Sequence, residues 1–323
     1  MPAPTNLYAS YNLRGFKEDV DDKIYNLSPE ETPFLSSLSS EKTEARQPEW
    51  QEDSYSAANK DNALLEGDEF GAETRNPTFM MRNHIQTFSR QIVTSGVANA
   101  IAKYARGSEQ AYQMEKAAIE IRKDIEAAML SNNPAVAVGA GVASKMAGLE
   151  TVANVNAQHG ATGSTPAPTS GTLPTVAPTD GTQRAFTAAI FTAGLQAMWN
   201  SGGNPRICYL TMNQKAVVNT FTASALATNR VDITKSGMAS IIGVADVYVW
   251  ETGPIAFVPV YNERMRTRTL FVSDGKSAKR TYLRPISKKA MGASGDNTKE
   301  MLLTDVTLKV TNRIGFLKIA DLT

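Results

Sequence analysis

Residues 106–131 read RGSEQAYQMEKAAIEIRKDIEAAMLS, and their spacing predicts one long helix. Ser108 can accept a hydrogen bond from an early backbone N–H, and Glu109 puts negative charge in the first turn, where the helix dipole favours it. Ala111, Met114, Ala118, Ile121, Ile125 and Ala128 recur at steps of three or four, so they share a face. Strong helix formers fill the rest, and Glu115, Lys116, Arg122 and Lys123 lie off the stripe. The run NNP at 132–134 ends it. At ~1.5 Å per residue the rod is about 35 Å long. A Met/Ile stripe at this spacing reads as core rather than as a cofactor-binding face.

Upstream, PEWQEDSY and PTFMMRNHIQTFSRQIVTSG alternate in the manner of strands, with Phe79, Met81, Ile85 and Phe88 recurring. A polar stretch containing Gly67 and Gly71 separates them. Together they predict a long two-stranded loop, which needs a neighbour because an isolated hairpin is marginal in water. Further upstream, DKIYNLSPEETPFLSSL (22–38) starts a helix well. Ser28 is a good N-cap, Pro29 suits the first helical position, and Glu31 completes a capping box. Pro33 then removes a backbone donor and predicts a stop after a turn or two. Ile24, Leu27, Phe34, Leu35 and Leu38 are left seeking burial that so short a stub cannot supply.

Downstream, residues 157–183 hold seven Thr, four Gly, four Pro and a single charged residue, Asp180. This composition predicts a low-complexity surface loop that a short Gly/Ser connector could replace, or else a strand that docks on a neighbour. A helix follows with Phe186, Ile190, Leu195, Met198 and Trp199 on one face, stopped by NSGGNP. RICYLTM reads as a strand and NQKAVVNTFTASA as a second helix capped by Asn213. VADVYVWET, IAFVPVY, RTLFVSD and KRTYLRPI read as strands, and TDVTLKVTNRIGFLKIADL as two strands around Asn312.

The chain has 323 residues, 42% of them hydrophobic, and a net charge of +1, so no global field recruits nucleic acid or membrane. The single cysteine, Cys208, excludes an intrachain disulfide and a Cys-rich zinc site, and reads as a buried thiol. MPAPTNLYAS does not read as a signal peptide, and no stretch approaches the ~20 apolar residues of a membrane span. Charge is segregated, however. Residues 16–60 hold eleven acids and five bases, and residues 261–323 hold thirteen bases and six acids. Such ends attract each other, within a subunit or between subunits.

Signs of catalysis are sparse. His84 and His159 have no partner at a metal-ligand spacing, and neither a nucleophile elbow nor a P-loop occurs. Glu30/Glu31 and Asp21/Asp22 read as capping or solvated charge. Gly139 and Gly141 in GAGVASKMAG match two glycines of a dinucleotide-binding loop, but Ser144 stands at the third and no amphipathic helix follows. Arg264, Arg266, Arg268, Lys279, Arg280 and Arg284, with Tyr261 and Tyr282 nearby, could meet phosphates; no recognised nucleic-acid-reading pattern surrounds them, and a solvated or protein-contacting face is the plainer reading. The expectation is a chain with no catalytic residue, cofactor or metal.

The order of elements resembles the major capsid proteins of tailed double-stranded-DNA bacteriophages, which have the Johnson-type α+β fold. IYNLSPEETPFLSSL is similar to the early arm of that family, PEWQEDSY and NHIQTFSRQIVTSG to the two sides of its extended loop, and EQAYQMEKAAIEIRKDIEAAML to its spine helix. MAGLETVANVN falls where the family has a Gly-rich, strand-like segment. FTAAIFTAGLQAMWNSGGNPRICYLTMNQKAVVNTF is similar to its axial region. The resemblance implies an N-terminal arm over 1–47, an extended loop over 48–93 and a peripheral domain with the spine helix over 94–156. It leaves 157–183 as a loop or insertion, places the axial domain at 184–255, and gives return strands over 256–323 that complete both domains. It further implies hexamers and pentamers closing an icosahedral head around packaged double-stranded DNA, which is bound without sequence specificity. Portal and scaffolding or decoration proteins are implied partners, and no membrane is. The virion is the implied location, after synthesis in the host cytoplasm. Candidate assembly contacts are Ile24, Leu27, Phe34, Leu35, Trp50, Arg264, Arg266 and Arg268, with neighbouring subunits expected to complete the arm's core. A cellular nanocompartment shell of the same fold and a nucleotide-binding enzyme using Gly139 and Gly141 are the alternatives.

Overall fold

A computed structural model of the chain describes residues 31–63, 65–67, 75, 77–104, 107–171, 174–221, 247–292 and 295–323. A short helix, α1 (Pro33–Ser37), leads into β1 (Ser39–Lys42). β2 (Glu49–Glu52) and β3 (Phe79–Arg82) form an antiparallel ribbon with Trp50 opposite Met81. β4 (Gln86–Ser95), α2 (Gly96–Ala100) and α3 (Glu109–Leu130) follow, then α4 (Leu149–Val152) and β5 (Asn156–Gln158). Next come α5 (Ala188–Asn200), β6 (Ile207–Thr211) and α6 (Met212–Phe221). The strands β7 (Val247–Trp250), β8 (Gly253–Val260), β9 (Leu270–Ser273), β10 (Ala278–Met291), β11 (Asn297–Val310) and β12 (Phe316–Ile319) complete the order.

The strands sort into two main sheets. One runs β1-β10-β11-β4, and the other β5-β12-β9-β6-β8-β7. The spine helix α3 forms where the stripe places it, with the Ser108 hydroxyl accepting from the Ala111 N–H. Its C-terminal half carries most of the burial. Ile121, Ile125, Met129 and Leu130 share a core with Phe88, Ile92, Leu302, Val306 and Leu308, whereas Ala111 is exposed.

Period-two alternation lets the six-stranded sheet serve two cores at once. Cys208, Leu210, Leu270, Val272, Leu317 and Ile319 join Phe191, Leu195 and Met198 of α5. Their neighbours Tyr209, Phe271 and Phe316 join the core beneath the spine helix. Gly194 lets α5 lie close, since a Cβ there would come within 3.0 Å of Leu317.

Two expectations need correction. Pro33 begins a helix of its own, at the position where its missing N–H costs nothing. Ser28 and Pro29 lie outside the described residues. Residues 157–183, among those described, are not a loosely held linker. The Ser164 and Thr179 backbones bond to each other in both directions, at 3.0 and 2.8 Å, and the segment ties into the chain's last residues. Exchange for a Gly/Ser connector would strip partners from Asp321, Arg266 and Arg268, so it is expected to destabilise the subunit. The composition misled because backbone N–H groups, one aspartate and the buried Pro168, Pro174 and Pro178 hold the segment.

Candidate assembly interface

The arm's first described residues dock inside their own subunit. Glu126, on the buried face of α3, points its carboxylate at the N-terminus of α1. Its Oε1 accepts the N–H groups of Phe34 at 2.8 Å and Leu35 at 3.3 Å. A helix N-terminus has unpaired donors and a partial positive charge, so a carboxylate satisfies both. Oε2 takes a hydrogen bond from Arg264 at 3.1 Å, and Arg264 also donates to the Glu31 carbonyl. Burial raises the Glu126 carboxyl above the usual range, opposed by these same donors. Phe34 meets Tyr209 edge-on with centroids 5.1 Å apart, and the Ser37 hydroxyl lies 2.7 Å from the Tyr209 hydroxyl.

Several candidate assembly contacts are therefore committed within the subunit. Phe34, Leu35 and Trp50 are buried in the spine-helix core. Arg264 has a side chain only 2% exposed and paired with Glu126. Within the subunit these four act as internal anchors, because their own chain supplies the apolar and charged partners the sequence reading sought in neighbours. Ile24 and Leu27 lie outside the described residues.

Arg266 and Arg268 also meet carboxylates of their own chain. Arg266 reaches Glu150 at 3.1 Å and Asp180 at 2.5 Å. Arg268 reaches Asp180 at 3.2 Å and Asp321 at 2.7 Å. Beside them Lys318 is fully buried, donating to the Glu150 carbonyl at 2.8 Å and to the Thr165 hydroxyl. Burial pulls its pKa from 10.5 down to about 8, although Glu150 and Asp321 favour the charged form. Lys279 and Lys309 both bind Glu41, at 3.3 and 2.7 Å, and Arg313 binds Glu52 at 2.8 Å. The acidic front and basic back thus attract each other within the subunit.

The outward apolar groups lie elsewhere. Tyr55 is 103% exposed and Leu65 is 79% exposed, both in the connection between β2 and β3. Val97, Ile101 and Tyr104 on and after α2 are also exposed. Sequence reasoning singled out none of these as contacts, since isolated apolar residues in polar stretches carry no periodic signal. It also missed Glu126, Asn83 and Asp321. Asn83 holds Leu308 and Ala147 together through bonds of 2.8 and 2.9 Å, and only the chain's return brings them near.

Gly139 and Gly141 lie in a tight hairpin, with Gly139 and Val142 exchanging backbone bonds at 3.2 and 3.1 Å. This is not the strand-to-helix turn of a dinucleotide site. Among the described residues no group of three or more His, Cys, Asp or Glu could hold a metal ion.

A major capsid protein of Escherichia phage Phieco32 is 35% identical to this chain over 131 residues. The match spans 41% of this chain and 37% of that protein's length. The cyanophage A-1(L) capsid asymmetric unit superposes with a TM-score of 0.63 at 15% identity, covering 99% of this chain and 100% of that one. The SrpI encapsulin of Synechococcus elongatus superposes with a TM-score of 0.56 at 10% identity, covering 97% and 93%. Both share the mixed helix-and-sheet fold of this chain. The SU10 major capsid protein profile matches residues 3–323, nearly the whole chain, which therefore belongs to that family.

Proposed function

We propose that this chain is the structural subunit of a tailed-phage head. It assembles with itself as hexamers and pentamers into an icosahedral shell, which encloses packaged double-stranded DNA without sequence-specific contacts. Portal and scaffolding or decoration proteins are its further partners, and the virion is its destination after synthesis in the host cytoplasm. The observation that carries this reading is the β2–β3 ribbon, whose connection bears the fully exposed Tyr55 and largely exposed Leu65. Those side chains leave apolar area that a partner could bury. Family membership supports the same reading.

Electron microscopy of the purified protein, alone and co-expressed with scaffolding and portal proteins, tests it. Closed icosahedral shells are expected. A protein that stays monomeric at high concentration with both partners present would overturn the proposal. The contents of shells recovered from infected cells separate a phage head, which holds DNA, from a nanocompartment, which holds protein.

A further inference from the structure

Residues 159–171 and 174–184 form a strap with one end at the chain terminus and the other at the ribbon. The first end closes on a single carboxylate. Asp321 is buried, with a positive φ of 61°. Its Oδ2 accepts the Gly160 N–H at 3.0 Å, and its Oδ1 accepts the Gly181 N–H at 2.9 Å and Arg268 at 2.7 Å. Its backbone carbonyl accepts from Arg184 at 2.7 Å. Both limbs of the strap therefore meet at one side chain. The fit is tight: a Cβ on Gly160 would lie 2.0 Å from the Thr182 carbonyl, and one on Gly163 would lie 2.6 Å from Asp321.

The far end reaches β3. The Met80 N–H donates to the Ser170 hydroxyl at 3.0 Å, and the Gly171 N–H donates to the Met80 carbonyl at 2.8 Å. Gly171 has a φ of +73°, a conformation that suits glycine and turns the strap back at this point. Met80 sits opposite Gln51 in the ribbon, so the strap holds the free side of β3. The ribbon is only two strands wide; besides the strap, Trp50 and Met81 in the core and Arg313 on Glu52 hold its other contacts.

We propose that the strap is a conformational brace, through which the Asp321 clasp at the chain terminus sets the position and rigidity of the β2–β3 ribbon. The brace lies within one subunit, so it stands or falls independently of shell formation. Where the chain does build shells, the brace governs the ribbon that carries Tyr55 and Leu65, and that consequence rests on the proposed function.

Peptide-resolved hydrogen exchange on the full-length protein tests it. Asp321→Asn weakens the clasp, and Gly163→Ala pushes it open without touching the sheets. Each is expected to speed exchange about tenfold in the strap and in residues 78–82, while β9 and β12 stay protected. Ser170→Ala removes one of the two tether bonds at the other end, the acceptor of the Met80 N–H, so it should speed exchange in 78–82 and leave Gly160 and Gly181 protected. Should the Asp321 variant not fold, Gly163→Ala and Ser170→Ala still decide the matter. Wild-type exchange in residues 78–82 when the strap has loosened, or in the Ser170 variant, would overturn the proposal.

Discussion

Glu126 shows how much one buried carboxylate can organise. It caps a helix 92 residues earlier in the chain and neutralises an arginine 138 residues later. Removing one member of a buried pair leaves the other charged and unpaired, which costs about 3–5 kcal/mol. Glu126→Gln is expected to destabilise the subunit by about that much, and the double variant with Arg264→Met to recover most of it. Urea unfolding of the single and double variants measures both. Lys318 makes a prediction about pH. Its folded pKa of about 8 lies below the unfolded value of 10.5, so between these values the unfolded chain binds more protons. Stability therefore rises with pH across this window. Relative to Lys318→Met, the wild type should gain about 2 kcal/mol between pH 8 and pH 10, read from denaturant midpoints.

Among the elements, α3 and α1 depend on each other. Ile121 is fully buried in the middle of α3. Ile121→Pro removes a mid-helix hydrogen bond and distorts the packed face, costing ~3 kcal/mol or more. Little soluble, folded protein should be recovered, and a normal melting curve would contradict this. The contribution of α1 and β1 follows from two truncations. Deleting residues 1–42 rather than 1–30 removes Phe34 and Leu35 from the core and uncovers the Glu126–Arg264 pair. The longer deletion should be less stable by several kcal/mol, about 2 for each large apolar side chain lost. Calorimetry of the two truncated chains gives the difference.

At the scale of the whole molecule, one subunit keeps most of its large apolar groups inside and turns a few outward. Tyr55 and Leu65 make no described core contact and lie on a thin ribbon. Replacing both with serine should change subunit stability by no more than about 0.5 kcal/mol, as for surface substitutions in general. Shell yield, measured by sedimentation and electron microscopy, should fall sharply. Loss of subunit stability together with assembly would show that these side chains pack within the subunit. Charge works differently at this scale. Glu41 and Glu52 face Lys279, Lys309 and Arg313 across the fold, so the opposite charges of front and back close the subunit.

Local pattern was enough wherever one element's own periodicity settles its state. Helix α3, its Ser108 cap, the strands on either side of Asn312 and the strand containing Cys208 were all legible for that reason. The order of these elements also carried the fold, because a spine helix between an extended loop and a run of return strands is an arrangement of long, strongly patterned pieces. Neither pattern nor composition could reveal long-range partners. Pro33 reads locally as a breaker, yet Glu126 supplies the acceptor that lets a helix start there. The Thr/Pro/Gly stretch reads locally as unstructured, yet Asp321 gathers its two limbs from 140 and 161 residues away. Arg264 reads as surface charge until the fold buries it against Glu126. Each depends on a polar group brought close by the folded chain, and hydrogen bonds and ion pairs, unlike hydrophobic periodicity, leave no local trace in the residues that form them.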